Sequence, residues 1–124
     1  MCIRDRSCLR GADIVVSSVT LDYTIEPFLD ANWLKEGAFA AITDLGIPWA
    51  DSGQSAFGRV YVDDLAQERA MAKPMIAPDL INGELADLVV DEIAYTPERS
   101  AFIFRGIALG DLAVAALAYK RASS

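Results

Sequence analysis

The chain has 124 residues, enough for one domain with a real core, and its 53% hydrophobic and 23% charged residues exclude a disordered tail. No apolar run approaches the roughly 20 residues that a membrane helix needs. A formal net charge of −7 argues against nucleic acid and against an anionic membrane surface, both of which demand a basic face, and fits a soluble, cytoplasmic protein.

The opening Met1-Cys2-Ile3-Arg4-Asp5-Arg6 lacks the apolar stretch of a secretory signal, and it resembles the translation of a transposon mosaic-end adapter used in sequencing libraries. Residues 1–10 are therefore expected to be a non-native leader, with the protein continuing a longer reading frame. Without that leader the chain carries 8 basic and 17 acidic residues, a net of −9. Residues 12–18 form a continuous apolar run ending in Ser17-Ser18, the pattern of a strand covered on both faces. Residues 26–37 read as a short helical or irregular link. Residues 38–43 are a second buried strand, with Asp44 at its end. A Gly-, Ser- and Asp-rich stretch to Gly58 precedes a third strand at 59–64, which runs into a short helix over 65–71.

Pro74 and Pro78 keep 73–78 extended. Asp79 is the expected N-cap of a helix whose apolar side is Leu80, Ile81, Leu85, Leu88 and Val89. A polar loop follows over 91–99, then a fourth strand at 100–104 broken by Gly106. The clearest helix spans 107–122; it is apolar nearly all round and is expected to lie buried between two layers. This alternation predicts an α/β fold with a mostly parallel sheet and flanking helices. Ligands of such sheets bind beyond the carboxyl ends of the strands. Ser17-Ser18, Asp44 and Arg105-Gly106 are therefore the places to look for chemistry.

The chain has no histidine, which removes Ser-His-Asp and Cys-His catalysis and every His-ligated metal site. Proton transfer falls to a carboxylate, lysine, tyrosine or water. Both cysteines lie within the first ten residues, so no thiolate metal site is expected in the body, and Asp63-Asp64 reads as a solvated turn capping a helix.

Four blocks in order resemble the second half of the ornithine cyclodeaminase / mu-crystallin family. They are Ala12-Asp13-Ile14-Val15-Val16-Ser17-Ser18-Val19-Thr20; Trp33-Leu34-Lys35-Glu36-Gly37-Ala38 running to Ile42-Thr43-Asp44; Val60-Tyr61-Val62-Asp63-Asp64 with Gln67; and Gly106-Ile107-Ala108-Leu109-Gly110-Asp111-Leu112-Ala113 with Ala116 and Tyr119. The resemblance implies the C-terminal part of a Rossmann-type NAD- or NADP-binding domain: a partial dinucleotide domain over 11–105 and a helix over 106–124 packing on it. It also implies a small amino-acid or imine substrate and a homodimer in the intact protein. By position it gives Asp44 the catalytic proton transfer, and Ser17, Ser18, Thr20, Ala41, Ile42 and Gly106 contact with the dinucleotide. Arg105 is a candidate to hold a substrate carboxylate by a bidentate contact.

The sequence also departs from that family. Asp44-Leu45-Gly46-Ile47-Pro48-Trp49 stands where the family commonly shows Asp-x-Pro-Gly-Lys, and Phe104-Arg105 where a serine often precedes the glycine. No G-x-G-x-x-G follows any strand, so the chain supplies no glycine turn for a pyrophosphate. Two main readings of the function stay open: part of an NAD(P)-dependent enzyme moving hydride at a nitrogen-bearing carbon, or a non-catalytic mu-crystallin-like binder of a small ligand or NADP. A third, a complete small interaction module, requires Met1 to be the natural start.

Overall fold

A computed structural model describes residues 3–90 and 96–123. Five parallel strands form one sheet: β1 (Ile14–Ser17), β2 (Phe39–Ile42), β3 (Arg59–Val62), β4 (Gly83–Glu84) and β5 (Ser100–Ile103), in the order β1-β2-β5-β3-β4. The last long strand thus inserts between the second and third. The helices are α1 (Ile3–Arg10), α2 (Leu65–Ala70), α3 (Leu85–Val90) and α4 (Ala108–Ala122), with short 3₁₀ segments at Ala31–Trp33, Asp51–Ala56 and Pro78–Leu80. The expected α/β class and parallel sheet are present.

Strand pleating sorts the side chains into two faces. Ala40, Ile42, Val60, Val62, Ala101 and Ile103 point to one side and are buried, packed with Leu9, Leu34, Trp49, Phe57, Met75 and Ile76 into the core. On the other side Ile14, Val16 and Phe39 stay exposed beside Tyr61 and Phe102. That open face forms a shallow apolar groove of about 680 Å³.

The structure adds one element to the sequence reading and differs from it in three places. Residues 3–10 are helical, and Leu9 is a core residue that anchors the last turn of α1, while Arg6 lies over the Trp33 ring at 5.8 Å. The helix expected from Asp79 begins only at Leu85. Pro78 sets a 3₁₀ turn instead, the Asn82 side chain accepts the Val60 N–H, and Gly83-Glu84 pair with Tyr61-Val62 as a strand. Asp79 is therefore no helix cap; Asp87 accepts the Glu84 N–H. Finally, α4 has the expected extent, but none of its described side chains is buried: Leu109, Leu112, Val114, Leu117 and Tyr119 all face solvent. Its all-round apolar character is a demand for cover that these residues do not meet. The loop expected over 91–99 falls partly on residues 91–95, which lie outside the described residues.

Candidate functional site

Because the strands run in one direction, their carboxyl ends meet along one edge of the sheet. Ser17, Ile42, Ile103 and Val62 stand in register there. The next residues of each chain segment (Ser18, Thr43-Asp44, Phe104-Arg105-Gly106 and Asp63-Asp64) form the rim beyond it.

Asp44 is fully buried at this rim. Its Oδ1 accepts from the Ser17 hydroxyl at 3.2 Å, and its Oδ2 accepts from the Val19 N–H at 3.2 Å. The indole Nε1–H of Trp49, also buried, donates to the Ser17 oxygen at 3.0 Å. A serine hydroxyl has a single proton. The indole takes one of the oxygen's two lone pairs, and the proton is directed at Asp44. The result is a one-way chain from Trp49 through Ser17 to the carboxylate. Asp44 thus spans two strands and does not cap its own turn.

The turn after Asp44 is unusual. The Asp44 carbonyl accepts the Ile47 N–H at 3.2 Å, and the two residues between have positive φ, 59° at Leu45 and 72° at Gly46. Positive φ at both central positions is the type I′ pattern. Glycine is required at the second, where a Cβ would sit 3.0 Å from the Met75 carbonyl oxygen. Leucine at the first is strained, at a cost of roughly 1–2 kcal/mol. Strain beside a buried carboxylate is where a functional site is expected.

The other candidates divide. Ser18 and Thr20 are exposed beside Asp44, and Ala41 lies half-buried on the open face. Ile42 places its side chain in the core. The Gly106 N–H donates to Asp63 Oδ2 at 2.6 Å, and open space lies where a Gly106 Cβ would project. Arg105 is already engaged by a carboxylate of its own chain: Nε and Nη2 both donate to Glu68 Oε2, at 3.0 and 2.9 Å, and Nη2 also reaches the Lys73 carbonyl at 3.2 Å. Glu68 is itself buried, and its other oxygen accepts the Met75 N–H. Asp63 corrects a further expectation. It is no solvated residue; it is buried and takes the backbone N–H groups of Arg105, Gly106 and Asp64, while Asp64 caps α2 by accepting the Gln67 N–H. No group of acidic or cysteine residues able to hold a metal is found among the described residues.

Sequence reasoning missed Glu68 and Trp49. Glu68 sits in a short polar helix and carries no burial signal. Trp49 meets Ser17 across 32 positions of sequence. Both help wall a cleft of about 200 Å³ at the rim, shaped by Tyr23, Ile25, Ile47, Trp49, Lys73, Met75 and Arg105 among others. Glu68 does so only by fixing Arg105 and Met75. Leu45 to Ile47 and Trp49 line the cleft, and the Asp44 carboxylate lies behind that wall.

No family model matches this sequence, and no curated protein does. Among solved structures, the chain superposes on a probable ornithine cyclodeaminase from Bordetella pertussis Tohama I with a TM-score of 0.78 and 26% identity, over 96% of this chain. The match spans 42% of that protein, so this chain corresponds to less than half the length of its solved relative. No helix among the described residues is long and apolar enough to cross a membrane. The chain is thus similar in fold to a probable ornithine cyclodeaminase, and the extent of the match fits a C-terminal fragment of such a protein.

Proposed function

We propose that this chain is the C-terminal part of an NAD(P)-dependent enzyme that acts on an amino acid or cyclic imine by hydride transfer at the nitrogen-bearing carbon. The observation that carries this reading is the buried Asp44, joined to Ser17 at the carboxyl tips of two adjacent parallel strands. Oxidation of an amine to an imine removes a proton from nitrogen and a hydride from carbon, so the site needs a group that takes the proton. Asp44 is assigned that role, with the Ser17 hydroxyl and the Val19 N–H holding its carboxylate in place. A bound nicotinamide would supply the hydride acceptor or donor.

The chain's own residues fit one end of that cofactor. Ser18 and Thr20 offer exposed hydroxyls beside Asp44, and Gly106 leaves open space at the neighbouring tip. They do not fit the pyrophosphate end, for which no glycine turn exists in the sequence. The isolated chain should therefore lack micromolar affinity for NAD or NADP. Calorimetric titration of this chain beside the longer reading frame tests the reading. Tight binding and oxidation of NADPH or NADH with a cyclic imine by the longer protein support it. A longer frame without a glycine-rich loop, or tight binding by the short chain, overturns it.

A second reading, a non-catalytic binder of a small ligand or NADP, draws support from the full burial of Asp44 and from the donor on each of its oxygens, which also suit a structural clamp between strands. Dinucleotide binding without turnover in the longer protein would select it.

A further inference from the structure

Two apolar surfaces lack cover among the described residues, and their shapes match. One is the open face of the sheet, where Ile14 of β1, Phe39 of β2, Phe102 of β5 and Tyr61 of β3 line the groove of about 680 Å³ and Leu88 of α3 borders it. Four adjacent strands span about 15 Å, wide enough for a helix about 10 Å across. The other surface is α4. Leu109, Leu112, Ala116 and Leu117 recur at helical spacing along one side of it, with Tyr119 beside them. The three leucines and the tyrosine are between 51% and 76% exposed. The joint that carries α4 is pinned. The Arg105 and Gly106 N–H groups both donate to the buried Asp63 carboxylate, the Arg105 guanidinium is held by Glu68, and Gly106 turns the chain with a φ of 119°. Only Ile107 then precedes the first residue of α4. This short, fixed link holds the helix off its own sheet and presents its apolar side to another molecule.

We propose that two copies of this chain pair reciprocally, α4 of each lying in the open sheet groove of the other. Area selects a second copy as the occupant. A helix of 15 residues is about 22 Å long, and half of its surface is roughly 350 Å². With a like area on the sheet, one contact buries about 700 Å², short of the roughly 1,200–2,000 Å² of a stable interface. Two-fold symmetry repeats the contact, and the pair then buries about 1,400 Å². A foreign helix in the groove would gain only one contact and leave α4 bare. Charge agrees: α4 carries Lys120 and Arg121 against Asp111 alone, in a chain of net charge −7. The inference is independent of the hydride-transfer reading, since it needs neither a dinucleotide nor turnover.

The test is analytical sedimentation of the 124-residue chain over a range of micromolar concentrations, with Cys2 and Cys8 replaced by Ser so that no disulfide contributes. A monomer–dimer equilibrium is expected. Leu112→Glu on α4 and Ile14→Glu in the groove should each weaken the dimer by at least about tenfold, because symmetry puts the new charge into both contacts. Ala118→Glu, on the opposite side of α4, should leave the dimer unchanged. Ile14 and Leu112 are exposed in the single chain, so at concentrations too low for pairing the variants should melt with the parent. A bismaleimide added to a mixture of chains bearing Leu112→Cys and Phe39→Cys should join unlike chains. A dimer that survives Leu112→Glu pairs face to face, and one that survives Ile14→Glu pairs helix to helix. A chain that stays monomeric leaves both surfaces to other partners. Each of these three results, or crosslinks between like chains alone, overturns the proposal.

Discussion

The two faces of the sheet are built from the same strands, yet they have opposite fates. On one, Ile42, Val60, Val62 and Ile103 are at most 2% exposed beneath the chain's own links. On the other, Ile14 and Val16 are 67% and 65% exposed, and no described segment covers the β1 end. Parallel strands with apolar residues on both sides call for cover on both sides. The relative of which this chain matches 42% has the additional chain with which such cover could be made. The uncovered α4 makes the same point from outside the sheet. The residues that fix the rim, including Asp44, Asp63, Glu68 and Trp49, are all buried.

That contrast can be broken by substitution. The largest loss should come at Glu68→Ala, which strands the Arg105 guanidinium and the Met75 N–H; about 3–5 kcal/mol is expected from urea denaturation. Ile42→Ala on the covered face should cost about 2–4 kcal/mol by the same measurement. Ile14→Ala on the open face should stay within about 0.5 kcal/mol. If the two isoleucine changes cost the same, the division into faces is wrong. Leu45→Gly relieves the left-handed strain but removes a side chain packed against the core, so the two effects should offset to within about 1 kcal/mol.

The open face offers a sharper probe that leaves stability alone. Light scattering should find the chain self-associating through its uncovered β1 edge and face, and Val16→Lys should return it toward a monomer. A wild-type chain that stays monomeric at high concentration would mean that the exposed apolar surface is inert. The smallest effect is one of pH. The side-chain and backbone hydrogen bonds from Thr24 hold the Asp22 carboxyl below its ordinary range. A depressed carboxyl stabilises the fold above its unfolded-state range and loses that contribution as pH falls through the lowered value. Thr24→Ala should flatten a slight acid-side slope in the thermal midpoint.

How much of this could be read in the sequence depended on the length scale of the signal. Four strands showed because continuous runs such as Ile14-Val15-Val16 and Phe39-Ala40-Ala41-Ile42 have no other stable place than a covered parallel sheet. The two-residue β4 did not, because Gly83-Glu84 have no strand propensity and are held only by pairing with Tyr61-Val62. Leu80, Ile81 and Leu85 there imitate a helical spacing that Pro78 and Asn82 defeat. At the rim, Asp44 could be picked out by its place after a strand and by resemblance. Ser17 could be picked out in the same way, but not its bond to Asp44 across 27 residues, nor Trp49, which reaches the pair from a loop whose course only tertiary packing sets. Glu68 was hidden for a similar reason: burial of a charged side chain is a property of the assembled fold.

The account stands or falls on whether Asp44 moves protons or merely ties two strands together. The direct measurement is steady-state turnover of an amino acid or cyclic imine by the longer protein carrying Asp44→Asn, with dinucleotide affinity measured on the same sample. A fall in kcat of roughly 10²-fold or more, with cofactor affinity and thermal midpoint kept, is the predicted result. Unchanged kcat in a folded, cofactor-binding variant would contradict it.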